Sequence, residues 1–514
     1  MGTRTRIALG LLALTTAVGG CKKATPSMLR SPMGLSDGAG WEEGLSRERY
    51  AHNADSAFVA VADQPLSTFS VDVDTGSYSN TRRFLEDGLL PPADAVRIEE
   101  LVNYFDYAYP QPQGDAPFST TTEVGGCPWN PTHRLVHIGI QGKHVDAGQV
   151  PPRNLVYLVD VSGSMAAADK LPMLKRGLIR MADTLRSNDT VALVVYAGAS
   201  GVVLRPTNDK QEIRRALASL EAGGSTNGAS GIELAYDLAE LHLRKGGINR
   251  VILATDGDFN VGPSSDGELI RLIDKKRETG IYLSVLGFGT GNYNESAMEQ
   301  IADHGNGNYA YIDSDREAKR VLIDQANATL VPIADDVKLQ VEFNPAHVEA
   351  YRLIGYDNRV LDDEDFNDDA KDAGEIGAGH TVTALYEIVP AGAGEFTPEV
   401  DDLAYQDEAT PKRDASASGL MNVKIRYKKP GTRDSELLSF EVGTKSTSGL
   451  SDAFRFSAAV ASFGMLLRDS PDKGSASFRE TLRMAKGAIG SDPDGMRREF
   501  VSLVRRAAKL KGQS

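Results

Sequence analysis

Short apolar runs that alternate with helical segments dominate the middle of the chain. The runs lie at residues 155–159, 191–196, 251–254 and 282–286. One intervening segment places its apolar residues on a single helical face, at Ile232, Ala235, Tyr236, Ala239 and Leu243. Strands that are apolar throughout are typical of parallel sheets covered by helices on both faces. Residues 153–330 are therefore predicted to form a doubly wound, mostly parallel α/β sheet of the Rossmann-like type.

The first of these runs ends in an acidic residue that begins a loop rich in hydroxyl groups. The loop reads Asp160-Val161-Ser162-Gly163-Ser164. Open α/β sheets bind their ligands at the carboxyl ends of the strands, which is where this loop stands. If the loop curls, the alternate spacing of Asp160, Ser162 and Ser164 turns their oxygens toward one point. Hard oxygens of this kind suit Mg²⁺, which prefers octahedral oxygen coordination and retains some water.

Two later loops carry similar oxygens and are expected at the same edge of the sheet. The glycine-rich segment 223–228 contains Thr226 and leads into the helix that carries Ile232. The apolar run 251–254 is followed by Asp256, so a second strand also ends in a carboxylate. The three loops together predict one metal site. The alternatives are that the hydroxyl residues only cap helices, or that a bound metal only rigidifies the loops.

These residues match a known pattern. The set Asp160, Ser162, Ser164, Thr226 and Asp256 resembles the metal-ion-dependent adhesion site of von Willebrand factor A domains, and all five positions match. The chain as a whole resembles a bacterial subfamily of envelope A-domain proteins that has an extra N-terminal domain and a C-terminal domain of unknown function. That resemblance covers roughly residues 65–510 and rests on the segments 224–228, 254–262, 287–293, 356–359 and 377–386.

The resemblance implies a division of labour among the five residues. In that family the two serines bind the ion directly, the threonine binds it directly or through water, and the aspartates act largely through water. Neutral hydroxyls leave a divalent cation under-neutralised, so it seeks an acidic ligand, an Asp or Glu, from a partner protein. The expected ion is Mg²⁺, with Mn²⁺ and Ca²⁺ as alternatives, and the expected activity is binding rather than catalysis.

The start of the chain has the features of an export signal. Arg4 and Arg6 precede an apolar stretch at residues 7–18, which is too short to span a membrane. The residues that follow, Val18-Gly19-Gly20-Cys21, resemble the bacterial lipobox, which implies cleavage before Cys21 and lipidation of its thiol. Lys22 after that cysteine implies sorting to the outer membrane in the lipoproteins that it resembles. The alternative is an ordinary signal peptide with an incidental cysteine.

The 514 residues are too many for one hydrophobic core, so several domains are expected. An apolar stripe at Phe500, Leu503, Val504 and Ala507 predicts a packed helix near the C-terminus. The expected division is a signal peptide at 1–20, a flexible tether at 21–64, an α+β domain at 65–150, the A domain at 151–330, a β-sandwich at 331–450 and a helical segment at 451–514.

Charge and cysteine content exclude some classes of function. The formal net charge is −15, which disfavours a nucleic-acid partner. Only Cys127 remains after Cys21, so the mature chain cannot form an internal disulfide. The acidic segment 361–375 is interpreted as a solvated loop rather than a calcium site, because it lacks the EF-hand order.

Enzyme signatures are weak. The glycine-rich segment 223–228 has no Walker lysine, and none of the four apolar runs is followed by a Gly-x-Ser-x-Gly nucleophile elbow. Asp74-Thr75-Gly76 matches an aspartic-protease loop, but the chain contains no second copy to complete the pair. A Mg²⁺-dependent hydrolase with Asp258 as its base, and an envelope protein with a purely structural metal, remain the alternatives to a metal-dependent binding module.

Overall fold

The computed structural model describes residues 48–513 except 53, 147, 226–227, 258–265, 292, 372 and 395–418. The strands are β1 Val59–Ala60, β2 Leu66–Ser70, β3 Phe118–Cys127, β4 Asn130–Gly142, β5 Arg153–Asp160, β6 Thr190–Tyr196, β7 Ser200–Thr207, β8 Ile248–Thr255, β9 Ile281–Phe288, β10 Tyr309–Ile312, β11 Pro332–Phe343, β12 Val348–Leu353, β13 Val360–Leu361, β14 Ile376–Gly377, β15 Thr381–Pro390, β16 Gly419–Lys428 and β17 Ser435–Gly443. The helices are α1 Gly76–Glu86, α2 Ile98–Asn103, α3 Leu171–Asp183, α4 Lys210–Ala218, α5 Gly228–Leu241, α6 Asp266–Arg277, α7 Glu295–His304, α8 Asp315–Lys319, α9 Ala326–Leu330, α10 Asp452–Arg468, α11 Phe478–Gly487 and α12 Met496–Leu510.

The middle of the chain forms a sheet in the order β10-β9-β8-β5-β6-β7. Its strands are parallel except β7, which runs antiparallel to β6. The four apolar runs of the sequence are β5, β6, β8 and β9, and the predicted doubly wound α/β fold is confirmed. The edge strands β7 and β10 were not predicted, because β7 is mostly exposed and β10 has only four residues.

Helices cover both faces of this sheet. On one face α3 buries Leu174 and Leu178 against β5 and β6. On the other face α5 buries Ile232, Ala235, Tyr236 and Ala239, as their helical spacing predicted. Leu243 was predicted to lie on the same stripe. That prediction is wrong, because α5 ends at Leu241 and Leu243 is exposed.

Two antiparallel sheets form a β-sandwich beside the α/β sheet. One has the order β1-β12-β15-β4-β3, and the other has the order β13-β2-β11-β16-β17, with β14 beside β11. Alternate residues of β11, including Val337, Leu339, Val341 and Phe343, lie in the core between the sheets. This arrangement follows the period-two pattern of each strand.

Residues 65–150 do not build a sheet of their own, in contrast to the domain predicted there. Strand β2 lies between β13 and β11, and β4 pairs along its length with β15. Helices α1 and α2 pack with α10 and α12 in a further core. The difference arises because alternation predicts that a strand exists but does not specify which strand, hundreds of residues away, it pairs with.

The C-terminal helices form a packed layer rather than a tail. Phe500, Leu503, Val504 and Ala507 are all buried, which confirms the predicted apolar stripe of α12. Cys127 is a buried free thiol. None of the described helices combines the length and the apolar character needed to cross a bilayer.

Candidate metal centre

The site begins at the end of the central strand β5, which lies between β8 and β6. Asp160 is the last residue of β5 and is completely buried. One carboxylate oxygen accepts a hydrogen bond of 2.8 Å from the backbone N–H of Ser162. The other accepts from the Thr255 hydroxyl at 3.4 Å, which links the carboxyl ends of β5 and β8. The first contact holds the loop in the curled conformation that convergence of the oxygens requires.

The curled loop brings the two serine hydroxyls together. Ser162 precedes a 3₁₀ turn, Gly163–Ala166, which is anchored by the buried Met165. The Oγ atoms of Ser162 and Ser164 are 3.0 Å apart. Ser162 is buried whereas Ser164 is exposed, so the pair opens toward solvent on one side.

The glycine-rich loop is fastened beside the serines by backbone hydrogen bonds. Gly223 N–H donates to the Val161 carbonyl at 2.7 Å, and Gly163 N–H donates to the Gly224 carbonyl at 3.1 Å. Gly224 has φ +89°, a left-handed conformation that glycine adopts without strain. Thr226, the predicted ligand of this loop, lies outside the described residues.

The last predicted ligand, Asp256, follows β8 and is buried. One of its carboxylate oxygens accepts a hydrogen bond of 2.9 Å from the ammonium group of Lys170. Lys170 stands immediately before helix α3, which returns from the serine loop. The site predicted from the sequence contained only oxygen ligands and did not include this lysine. The signal available in the sequence was its position, six residues after Ser164 in the same loop.

Burial and charge act together on Asp160. Burial raises the pKa of its carboxyl to about 6, hydrogen bonds from Ser162 oppose the shift, and the charge of Asp256 adds to it. Two buried carboxylates that repel each other are stabilised by a cation between or beside them.

The described side chains fit a small, hard cation. Neighbouring oxygens of an octahedral ion bound at about 2.1 Å are about 3.0 Å apart, which is the separation of the two serine hydroxyls. Among the described residues, no group of three or more His, Cys, Asp or Glu side chains is arranged to hold a metal.

Four of the five predicted residues, Asp160, Ser162, Ser164 and Asp256, lie at this one edge of the sheet, and their role as metal ligands stays a prediction. Cys21 and the candidate base Asp258 lie outside the described residues. Asp74 of the aspartic-protease-like loop accepts a hydrogen bond from the backbone N–H of Tyr309 at 2.8 Å, a structural contact between the loop before α1 and strand β10.

Comparison with known proteins divides the chain into three matched regions. Residues 45–137 match the model described as von Willebrand factor, and residues 155–258 match von Willebrand factor type A domain. Residues 328–510 match the C-terminal domain described as Uncharacterized protein YfbK, C-terminal. The region from β5 to Asp256 thus coincides with the type A match.

Full-length similarity extends to a bacterial protein. The chain is 43% identical over 465 residues to the Uncharacterized protein YfbK of Escherichia coli (strain K12). The aligned region covers 89% of this chain and 80% of that protein. The chain is 30% identical over 179 residues to human inter-alpha-trypsin inhibitor heavy chain H3, which covers 33% of this chain and only 20% of that one.

Among solved structures, a von Willebrand factor type A protein from Catenulispora acidiphila aligns with 14% identity and a TM-score of 0.42. The alignment covers 78% of this chain and 91% of that one. Because the similarity to YfbK spans most of both chains and includes the A domain and the C-terminal domain, the chain belongs to the YfbK family of bacterial von Willebrand factor type A domain proteins.

Proposed function

We propose that this protein is a lipid-anchored component of the cell envelope that binds a protein partner through a divalent metal. The metal is held by Asp160, Ser162, Ser164, Thr226 and Asp256, and the partner supplies an acidic side chain. The observation that carries the proposal is the convergence of two serine hydroxyls, 3.0 Å apart, beside two buried aspartates at the carboxyl edge of the sheet.

The character of the ligands favours binding over catalysis. A cation held largely by uncharged oxygens keeps much of its positive charge and attracts an external carboxylate. Exposure of Ser164 leaves one side of the site open to such a ligand. The protein itself carries a net charge of −15, so attraction of an acidic partner must come from the ion at short range.

Metal-dependent capture tests the proposal. The protein is incubated with detergent-solubilised envelope proteins in Mg²⁺ or in EDTA, and bound proteins are identified. A partner retained in Mg²⁺, released by EDTA and displaced by free glutamate supports a metal bridge. Equal capture in Mg²⁺ and EDTA contradicts it.

Two substitutions connect that capture to the site. Asp160→Asn keeps an oxygen that can accept from Ser162 N–H but removes the charge, and Ser162→Ala removes one hydroxyl. Both are expected to abolish capture while the far-UV circular dichroism spectrum is unchanged. Asp434→Asn, at an exposed position far along the sequence in the β16–β17 turn, makes the same charge change and is expected to bind normally.

The anchor is tested separately. Lipidation of Cys21 predicts that the protein sediments with outer membranes and leaves them only with detergent. Cys21→Ala is expected to release the folded protein in a soluble form. Retention of that variant on washed membranes would show that something other than the lipid attaches the protein.

A further inference from the structure

Lys170 places a positively charged side chain inside the candidate metal centre. Its ammonium group lies 2.9 Å from Asp256, and the side chains are 8% and 0% exposed, respectively. An ion pair removed from water in this way is screened little by salt. The charge of Asp256 is therefore offset before any metal binds.

The fold keeps the lysine in this position. The Lys170 side chain crosses Gly289, and a Cβ atom on that glycine would lie only 2.2 Å from Lys170 Cε. Gly289 has φ +75°, and its carbonyl accepts a hydrogen bond of 2.9 Å from the Tyr311 hydroxyl, which fixes the loop. The Lys170 side chain thus lies in the space that a side chain at residue 289 would occupy.

The charge balance has a consequence for ligand binding. Asp160 and Asp256 carry two negative charges when ionised, and Lys170 cancels one of them. A divalent ion then leaves the described part of the site with one excess positive charge, which one external carboxylate neutralises. Without the lysine, the two aspartates would neutralise the ion by themselves.

We propose that Lys170 makes metal binding and binding of the partner's carboxylate depend on each other. The proposal rests on the function proposed above and adds the residue that couples its two ligands. With Lys170 present the ion binds weakly alone and more tightly when a carboxylate joins it, because each ligand supplies the charge that the other needs. The partner's acid is then part of the site rather than an addition to it.

Titration of Mn²⁺ measures this coupling. The dissociation constant is determined by isothermal titration calorimetry, with and without sodium acetate at matched ionic strength, for the wild type and Lys170→Met. In the wild type, acetate is expected to tighten Mn²⁺ binding. Lys170→Met is expected to bind Mn²⁺ about tenfold more tightly without acetate, because a nearby positive charge is removed. The additional tightening by acetate is expected to disappear in the variant.

A matched variant controls for the overall change in charge. Lys175 lies in helix α3, which begins directly after Lys170, and its ammonium group donates to the carbonyls of Ala218 and Leu220 rather than to an aspartate. Lys175→Met removes the same charge and is expected to leave both the Mn²⁺ affinity and the acetate effect unchanged. If Lys170→Met does not fold, Lys170→Gln, which can still donate to Asp256, is used in its place.

The outcomes separate this inference from the proposed function. If the Lys170 variant binds Mn²⁺ with the same affinity and the same acetate effect as the wild type, the coupling role of Lys170 is overturned. The proposed metal site is then unaffected. Loss of Mn²⁺ binding in the variant would make Lys170 a structural residue and also overturns the coupling. Absence of Mn²⁺ binding in the wild type, with acetate as well as without it, refutes the proposed function together with the inference.

Discussion

Individual side chains at the edge of the α/β sheet are held by neighbours that are themselves constrained. Asp160 is fixed by the Ser162 backbone, and Asp256 by Lys170. The first contact is local in sequence, whereas the second joins residues 86 positions apart, so a substitution at a distant supporting position can also alter the site. Gly289 is such a position, because it touches no candidate ligand and yet determines where Lys170 can lie.

Gly289→Ala is expected to destabilise the protein by about 1–3 kcal/mol more than Gly280→Ala. Both glycines have left-handed φ values, +75° and +81°, so both substitutions strain the backbone. A Cβ atom at residue 289 would meet the Lys170 side chain, whereas nothing lies within 4 Å of a Cβ atom at residue 280. Urea unfolding followed by circular dichroism measures the difference, and an equal loss of stability would show that Lys170 moves aside freely.

Among the secondary-structure elements, α12 shows how a charged terminal segment becomes part of the core. Its apolar stripe packs with α10, α11 and the N-terminal helix α1, and exposed basic residues such as Arg505 and Arg506 cover its other side. Phe500 stands at the centre, with ring centroids of Phe105, Phe456 and Phe463 at 5.6, 5.3 and 5.3 Å. The helix therefore joins the two ends of the folded chain.

Phe500→Ala is expected to lower the free energy of unfolding by about 3–5 kcal/mol, because it leaves a cavity among aromatic rings. Leu510→Ala, at the exposed end of the same helix, is the control and is expected to change stability by about 0.5 kcal/mol or less. Chemical denaturation of the two variants under identical conditions provides the comparison. Similar small effects in both would mean that α12 is loosely attached.

At the scale of the whole molecule, buried ion pairs connect segments that are distant in sequence. Arg82 of α1 donates to Asp313 after β10 at 2.6 and 2.7 Å, to Glu317 of α8 at 2.9 Å and to Glu499 of α12 at 3.0 Å. Its side chain is 4% exposed. One guanidinium group thus joins the N-terminal helices, the α/β domain and the C-terminal helical layer.

Arg82→Met is expected to destabilise the protein by about 3–5 kcal/mol, because it removes both hydrogen bonds of the guanidinium group to the buried Asp313 and one of the cations beside Glu317 and Glu499. Arg483→Met serves as the control, since Arg483 is exposed and pairs with Glu480 on the surface of α11. That substitution is expected to lower the free energy of unfolding by about 1 kcal/mol or less. Thermal unfolding of both variants distinguishes a structural connection from a surface ion pair.

A second buried cluster makes the assembly sensitive to pH. Burial raises the pKa of Glu100 to about 8, Arg97 opposes that shift, and the charges of Glu299 and Glu99 add to it. Burial likewise raises the pKa of Asp72 to about 7, against the effect of Arg359. The cluster joins α2, α7 and the loop after β12, so its charge state affects three parts of the fold.

The contribution of Glu100 and Asp72 to stability is expected to fall as pH rises from about 5 to about 8. In that window the folded state keeps protons on Glu100 and Asp72 that the unfolded chain has already released, so raising the pH favours unfolding. Glu100→Gln keeps an acceptor for the Ser77 N–H and is expected to reduce the slope of melting temperature against pH. Glu480→Gln, at the surface, is the control. If the melting temperature of Glu100→Gln depends on pH with the same slope as that of the wild type, Glu100 is ionised over the whole pH range.

Local pattern was sufficient for much of the fold. Continuous apolar runs determine β5, β6, β8 and β9, and helical spacing determines the buried stripes of α5 and α12, because each pattern reports the burial of neighbouring residues. The Asp160–Ser164 loop is predictable for a similar reason, since alternate positions beyond a strand end point the same way when the loop curls.

Only the tertiary structure decided which distant segments meet. The pairing of β4 with β15, the insertion of β2 between β13 and β11, and the contact of Lys170 with Asp256 join residues that no periodicity relates. A strand pattern is compatible with many partners, and a lysine can pair with any acid within its reach. Packing of the complete chain selects one arrangement, and that selection places a fixed positive charge in a site that the sequence describes only by its oxygens.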